Sequence, residues 1–262
     1  ASPEYQQMNF GMSLAAFKHI FFWEYFHRLW GRLLGIAFAL PFLIFVISGR
    51  VPQGFGWRLT LLFCLGGFQG VIGWWMVKSG LTEQASVSQY RLASHLAVAL
   101  LIFGFLIWTG FDLRDGHAKS PQGYGIASLA LLCITIIAGA LVAGMDAGLL
   151  YNHYPLMGDG LVPIEYGEFG WLDPFENPAS AQFHHRWIAA VTFGAVVVLA
   201  LKARRRNLYL RGNLVLGAIV AQFILGIATL LHGVPVSLGG MHQAGAVVLL
   251  GSALMLAHAQ HR

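Results

Sequence analysis

Seven long apolar stretches, separated by mostly short polar segments, dominate the pattern of hydrophobic and polar positions along this chain. Each stretch is long enough to cross a hydrocarbon layer about 30 Å thick as an α-helix. No alternation of the kind that marks transmembrane β-strands reaches comparable strength. The pattern therefore predicts an all-α, polytopic transmembrane helix bundle. The predicted spans are residues 27–48, 59–77, 91–112, 125–150, 182–202, 212–232 and 240–260.

The composition supports a membrane location. Hydrophobic residues make up 57% of the 262 residues and charged residues only 10%. The mean hydropathy is +0.65, well outside the balance of a soluble domain. Cys64 and Cys133 both fall in the middle of predicted spans, so no disulfide is expected.

Basic residues accumulate on one side of the seven-span arrangement, and this side is expected to face the cytoplasm or matrix. The other side carries mainly Lys18, Lys78 and Arg91. This distribution places the N-terminus and the long loop 151–181 outside and the C-terminus inside. The residues of the basic side are Arg50, Arg58, Arg114, Lys119, Lys202, Arg204, Arg205, Arg206, Arg211 and Arg262.

The long outer loop is acidic and has no Lys or Arg. Two interpretations remain open, a solvated loop and a docking surface for a basic partner. The net charge of +5 is thus unevenly distributed, and it does not suggest binding to nucleic acid. The acidic residues of this loop are Asp159, Glu165, Glu168, Asp173 and Glu176.

Four histidines lie in strongly apolar surroundings, where an ionisable ring is costly unless something binds it. A repeat relates them: His-Arg at the head of one helix, Gln-x-x-x-Gly in the next, and His at the head of the third. All four rings are expected near the outer ends of their spans. The repeat comprises His27, Arg28, Gln69, Gly73 and His95 in the first half, and His185, Arg186, Gln222, Gly226 and His242 in the second.

Parallel repeats of this kind predict a pseudo-two-fold axis along the membrane normal. Each half would supply one histidine from each of two helices, the arrangement that ligates a haem iron through two imidazoles. The pattern therefore predicts two haem sites. His184 adjoins His185 but points about 100° away on a helix, and the repeat selects His185 because Arg follows it. The histidines expected to be solvated are His19, His117, His153, His258 and His261.

Together, these motifs resemble those of haem A synthases, the membrane enzymes that make the haem of cytochrome c oxidase, in their mitochondrial and alphaproteobacterial form. The resemblance spans nearly the whole chain. It is carried by residues 24–32 (EYFHRLWGR), 139–148 (GALVAGMDAG), 151–152 (YN), 155–157 (PLM), 182–186 (QFHHR) and 242–243 (HQ).

This resemblance implies eight helices in two four-helix halves and the oxidation of a ring methyl of haem O to the formyl group of haem A. It assigns haem O to residues 1–112, a linker to 113–124, and haem b to 125–262. No equivalent of the helix at 139–148 precedes His27, so the first helix of the first half is expected to be absent. Residues 1–112 would then form a haem O pocket that lacks one wall.

The resemblance also implies partners and a location. Haem O synthase and cytochrome c oxidase assembly factors are the expected protein partners, with membrane lipid around the bundle and a homo-oligomer as a further expectation. The expected location is the bacterial inner membrane or the mitochondrial inner membrane. The four histidines would face the periplasm or the intermembrane space.

Oxidation of a methyl group beside a porphyrin calls for a nearby base or anion, and Glu24 is the candidate. It precedes His27 by three residues and shares a helix face with it. The second half has the neutral Gln182 at the matching position, which assigns the reaction to the first half. The alternative is that Glu24 only pairs with Arg28.

Arg28 and Arg186 directly follow ligand histidines and are expected to contact haem propionates. Snorkelling toward lipid phosphate is the alternative for both arginines.

Two other classes of function remain open. A di-haem electron-transfer cytochrome b needs only paired histidines, but such carriers usually stack haems across both leaflets. A haem transporter or chaperone needs exchangeable ligation and no acid at the ring edge. Extraction of the haem discriminates them, because haem O or haem A beside haem b indicates the synthase.

The topology is testable by labelling. Cysteines introduced between residues 202 and 211 should be shielded from an impermeant reagent in intact cells, because the positive-inside rule places this basic loop inside. Cysteines introduced between residues 159 and 176 should react. The reverse pattern would place all four histidines at the wrong membrane face.

Overall fold

The computed structural model describes residue 6 and residues 9–82, 87–118 and 123–260. The sequence stretches 119–122 and 261–262 lie outside these ranges, and with them Lys119, His261 and Arg262. The described part is helical, with an isolated β-bridge between Met157 and Gly160. Its helices are α1 (Leu14–Ile47), α2 (Gly56–Thr82), α3 (Gln89–Asp115), α4 (Tyr124–Gly144), the short α5 (Asp173–Glu176), α6 (Pro178–Arg205), α7 (Tyr209–Leu231) and α8 (Val236–Gln260).

Seven of these helices, all except α5, are long and apolar enough to cross a membrane. This confirms the predicted all-α, polytopic membrane bundle. Both cysteines are free, in agreement with the sequence. The assignment of haem O and haem b to residues 1–112 and 125–262 stays a prediction.

The start predicted for the first span, residue 27, is wrong. Helix α1 begins at Leu14, where the Ser13 hydroxyl accepts a hydrogen bond from the Ala16 N–H at 3.2 Å and caps the helix. His27 therefore lies more than three turns inside α1 and not at its head. Lys18, assigned to the outer side between spans, and His19 both lie inside α1 and are exposed.

The end predicted for the fourth span, residue 150, is also wrong. Helix α4 ends at Gly144, and Asp146 adopts a left-handed conformation with φ 50°. A left-handed residue cannot continue a right-handed helix. The chain therefore leaves the helix early, and residues 145–177 form the long loop, which includes α5.

The described chain divides into two compact units, residues 1–102 and 103–262, with the division inside α3. In the first unit, α1 packs on α2 and buries only Phe42 among its own residues. The N-terminal part of α3 is joined to α2 by Arg91. Its guanidinium donates to the Trp75 carbonyl at 3.1 Å and lies 4.8 Å from the centre of the Trp75 ring.

In the second unit, α4, α6, α7 and α8 form a closed four-helix arrangement, because α4 contacts α6, α6 contacts α7, α7 contacts α8, and α8 contacts α4. Helix α6 starts at Pro178, and the Asn177 side chain caps it by accepting from the N–H groups of Ala179 and Ser180. Its last turn carries Lys202, Arg204 and Arg205, whose positive charges are stabilising next to the partial negative charge at the C-terminus of the helix.

His258 is buried, and the expectation that it is solvated is wrong. Its side chain is 2% exposed, and Nε2 lies 2.9 Å from a carboxylate oxygen of Asp112, which is 1% exposed. Trp108 and Phe111 pack against the same ring, and the Ala118 N–H donates to the Asp112 carboxylate at 3.1 Å. The C-terminal ends of α3 and α8 thus meet at a polar contact inside the second unit.

This contact should matter for stability. His258→Ala removes a hydrogen-bond partner from a buried carboxylate, and leaving a buried polar group without a partner costs about 1–3 kcal/mol. Thermal unfolding in detergent should show the loss. His232→Ala is the matched control, since that ring is exposed and hydrogen-bonds to the Ala228 carbonyl of its own helix turn. Equal unfolding temperatures for the two variants would contradict a stabilising role of the contact.

Candidate functional site

His185 on α6 lies directly against α4. Its Nδ1 is 3.1 Å from the Thr135 carbonyl oxygen. Four residues further along α4, a Cβ atom at Gly139 would lie only 3.0 Å from Cε1 of the same ring. The ring therefore occupies space that any side chain at residue 139 would fill, and one backbone acceptor fixes its rotation.

His242 on α8 is held by α7 in a similar way. The amide nitrogen of Gln222 donates to the His242 carbonyl oxygen at 2.8 Å and lies 3.1 Å from Nδ1 of the ring. Four residues later, a Cβ atom at Gly226 would lie 2.8 Å from Cε1 of His242. Gly245, on α8, leaves the space for Gln222, because a Cβ atom there would collide with Oε1 of the amide.

The two contacts imply different proton positions. Nδ1 of His185 faces a carbonyl, so the proton of the neutral ring is on Nδ1 and the lone pair is on Nε2. Nδ1 of His242 faces an amide N–H of Gln222, so Nδ1 accepts and Nε2 carries the proton. Metal coordination through Nε2 of His242 would require Gln222 to turn Oε1 toward Nδ1. This oxygen is buried and has no hydrogen-bond partner within the described ranges.

In the first unit, His95 on α3 is held by α2. The amide nitrogen of Gln69 donates to the His95 carbonyl at 3.1 Å and lies 3.4 Å from Nε2 of the ring. A Cβ atom at Gly73 would lie 2.9 Å from Cε1. The ring is half-buried, and its Nδ1 has no hydrogen-bond partner among the described residues.

His27 differs from the other three histidines. It is exposed on α1, and its ring is not among the nearest contacts of a Cβ position at any described glycine. His27 and His95 are nevertheless close enough to interact electrostatically within the first unit, as are His185 and His242 within the second. Each predicted pair therefore lies within one unit, and the role of the four rings as haem ligands stays a prediction.

The three held rings share one device, here called the glycine seat: a hydrogen-bonding residue at one position of a helix and a glycine four residues later, one turn along the same face. The seats are Gln69 with Gly73, Thr135 with Gly139, and Gln222 with Gly226. The sequence showed the two Gln-x-x-x-Gly segments as members of the histidine repeat. It did not show the Thr135 seat, because a backbone carbonyl has no sequence signature.

Arg186 and Gln182 hold the long loop. The guanidinium of Arg186 donates to the carbonyls of Tyr151 at 2.6 Å, His153 at 2.9 Å and Leu156 at 3.2 Å. The amide of Gln182 also donates to the Tyr151 carbonyl, at 3.0 Å. Nε of Arg186 is buried and has no partner among the described residues, so one donor of this cation is still available.

The residues at the matching positions of α1 pair with each other. Nη2 of Arg28 lies 2.5 Å from a carboxylate oxygen of Glu24, and about half of each side chain is exposed. This is the ion pair that the sequence offered as the alternative role of Glu24. The contact leaves the second carboxylate oxygen of Glu24 outside the pair.

The loop itself is well braced. His184, next to the seated His185, packs against Tyr166 with ring centres 5.6 Å apart. Burial alone would raise the pKa of Asp173, but hydrogen bonds, including those from the N–H groups of Gly167 and Phe169, hold this pKa below its usual value. Asp173 is therefore a charged anchor for the loop.

A second brace joins the first part of the loop to its middle. The Tyr151 hydroxyl donates to Glu165 at 2.7 Å, and this hydrogen bond raises the pKa of Tyr151. The Asn152 side chain donates to the Gly148 and Leu230 carbonyls at 2.9 Å and 3.0 Å. These contacts fix the loop over the ends of α4 and α7, next to the helix start that carries His185.

The fold and the site together define an integral membrane protein in which paired histidines are oriented between helices. Within this class, the chain belongs to the cytochrome oxidase assembly protein family, whose sequence profile matches residues 1–254. The resemblance drawn from the motifs is thereby confirmed.

Several curated relatives are similar over nearly the whole chain. The protein named Heme A synthase from Rhodospirillum centenum is 48% identical over 98% of this chain and 72% of its own length. The Heme A synthase from Parvibaculum lavamentivorans is 46% identical over 98% of this chain and 76% of its own length. The Heme A synthase from Caulobacter sp. strain K31 is 43% identical over 97% of this chain and 78% of its own length.

Proposed function

We propose that this protein is a haem A synthase, an oxidoreductase that converts a ring methyl of haem O to the formyl group of haem A. The observation that carries the proposal is the pair of seated rings, His185 and His242, in a chain whose relatives are named Heme A synthase. A bundle that fixes two imidazoles by close helix contacts is suited to hold a planar, iron-containing ring.

The second unit fits haem b as a resident cofactor. His185 and His242 would ligate the iron through Nε2. The Thr135 contact leaves the Nε2 lone pair of His185 free, and that of His242 would become free once the Gln222 amide turns its oxygen toward Nδ1. The buried, unpartnered Nε of Arg186 fits contact with a propionate. When bound, haem b supplies one-electron redox chemistry.

The first unit fits the substrate. His27 and His95 would ligate the iron of haem O, with His95 oriented by Gln69 and Gly73. The exposed position of His27 on α1 leaves that side of the ring open to an incoming substrate. Arg28 would contact a propionate there.

Glu24 would act beside the methyl group that is oxidised. The methyl must lose electrons and protons and gain oxygen, and a carboxylate near the ring edge can accept a proton or stabilise positive charge. The Arg28 ion pair restrains Glu24 one turn from His27. Gln182 cannot do this work in the second unit, because its amide is neutral and donates to the Tyr151 carbonyl.

The proposal includes a location and partners. The seven apolar helices mark an integral membrane protein. We place it in the bacterial inner membrane or the mitochondrial inner membrane, with the histidines toward the periplasm or intermembrane space. Haem O synthase would deliver the substrate, and cytochrome c oxidase assembly factors would receive the product.

Co-expression with a haem O synthase tests the function directly. Extraction and chromatography of the bound pigments should show haem A beside haem b. Haem b alone, with haem O available in the cells, would favour a di-haem electron-transfer cytochrome b and contradict the synthase.

The haem b ligands can be tested one at a time. His185→Ala or His242→Ala should abolish the low-spin haem b spectrum, because each variant removes one of the two axial ligands. Absorption and electron paramagnetic resonance spectra of the purified protein give the measurement. An unchanged spectrum in both variants would overturn the ligand assignment.

Glu24→Gln tests the catalytic role. The Glu24–Arg28 pair is half-exposed and contributes less than about 1 kcal/mol to stability, so the variant should fold and keep its haem content. Turnover should fall by about 10²–10³, by analogy with the loss of one group that stabilises transition-state charge. Extracted pigments should shift from haem A toward haem O or a partly oxidised haem.

Two controls define that result. His27→Ala should disturb haem O binding as well as turnover, because it removes a ligand. Glu168→Gln changes an acid of the long loop and should leave turnover unchanged. Haem A formation at the normal rate in Glu24→Gln would reduce Glu24 to an interfacial partner of Arg28.

A further inference from the structure

Three glycines lie directly under histidine rings, and this contact has a consequence for how the rings are oriented. A Cβ atom would lie 2.9 Å from Cε1 at Gly73, 3.0 Å at Gly139 and 2.8 Å at Gly226. Non-bonded carbon atoms are in favourable contact at about 3.5–4.0 Å. Alanine at any of these positions would therefore push the ring away.

Two other glycines, on α6 and α7, have open space where a side chain would be. No atom lies within 4 Å of a Cβ position at Gly217, which is on α7 with Gly226. The same holds for Gly194, which is on α6 with His185. Helix-packing glycines are therefore not all equivalent in this chain.

Each seat glycine follows its hydrogen-bonding partner by one turn, so the two residues act on the same ring. The hydrogen bond sets the rotation of the ring, while the missing side chain sets its distance from the helix. In His185, the Thr135 carbonyl fixes Nδ1 and Gly139 admits Cε1. A ring pushed outward by a methyl group would move away from the partner that orients it.

We propose that Gly139 and Gly226 are positioning residues, which fix the orientation of His185 and His242 toward haem b, and that Gly73 does the same for His95. The inference rests on the proposed function, because it takes these histidines as haem ligands. It concerns the second layer of the site, in which the groups around a ligand set its geometry.

Gly226→Ala and Gly139→Ala are the test variants, with Gly217→Ala and Gly194→Ala as controls. Haem retention should fall by about 10–100-fold in the test variants, the usual effect of losing a group that orients a metal ligand. The g-values of the low-spin ferric haem that remains should shift, because the imidazole planes are displaced. The controls should keep the wild-type haem content and g-values.

A complementation experiment separates ring displacement from misfolding. In His242→Gly, added imidazole should restore a low-spin spectrum, and it should do so equally well in His242→Gly/Gly226→Ala, because a free ring can shift by the few tenths of an ångström that the methyl group requires. Failure of imidazole to bind the double variant, with binding retained by the single variant, would show damage to the bundle and overturn the proposal.

The remaining outcomes are distinct. Test variants that match Gly217→Ala and Gly194→Ala in haem content and g-values would overturn the seats and leave the proposed function intact. A wild-type protein that holds low-spin haem b but forms no haem A would overturn the proposed function and leave the seats intact. A wild-type protein without protein-ligated haem would overturn both.

Discussion

The structure depends on one constraint: an imidazole ring placed among apolar helices must have its polar atoms satisfied and its volume accommodated. For each of the three half-buried histidines, a neighbouring helix satisfies one ring nitrogen and accommodates the ring volume. The hydrogen bond comes from a residue of that helix, and the space comes from a glycine one turn later. Because the two requirements are met on one helix face, helix packing and ring orientation cannot change independently.

The same constraint explains how the outer loop is organised in the second unit. A cation and an amide at the start of α6, Arg186 and Gln182, both donate to the backbone carbonyl of Tyr151. Carbonyls of an irregular segment at a membrane boundary need such donors. Glu24 and Arg28 occupy the matching positions of α1 but satisfy each other. The residue pair on α6 therefore stabilises a loop, while the pair on α1 holds a carboxylate. This difference is the basis for assigning the reaction to the first unit.

At the other end of α8, the second unit contains a buried acid–histidine contact. Asp112 and His258 lie far along their helices from the seated rings, and aromatic side chains surround them. Their burial joins the C-terminal part of α3 to the four-helix arrangement. The last helix thus carries His242 near its start and a polar tie near its end, so its position is fixed at two points.

The sequence by itself determined the number of spans and singled out the four histidines, because the length of an apolar stretch and the rarity of ionisable residues within it are set by the bilayer. The histidine repeat and the Gln-x-x-x-Gly segments could also be found there. The start of α1, the burial of His258 and the seat at Thr135 and Gly139 were decided only by the tertiary structure. Whether a residue at a helix end is buried depends on what packs against it. His258 is buried because it contacts Asp112, which is far away in the sequence. A backbone carbonyl such as that of Thr135 acts through its position alone, which no residue type records.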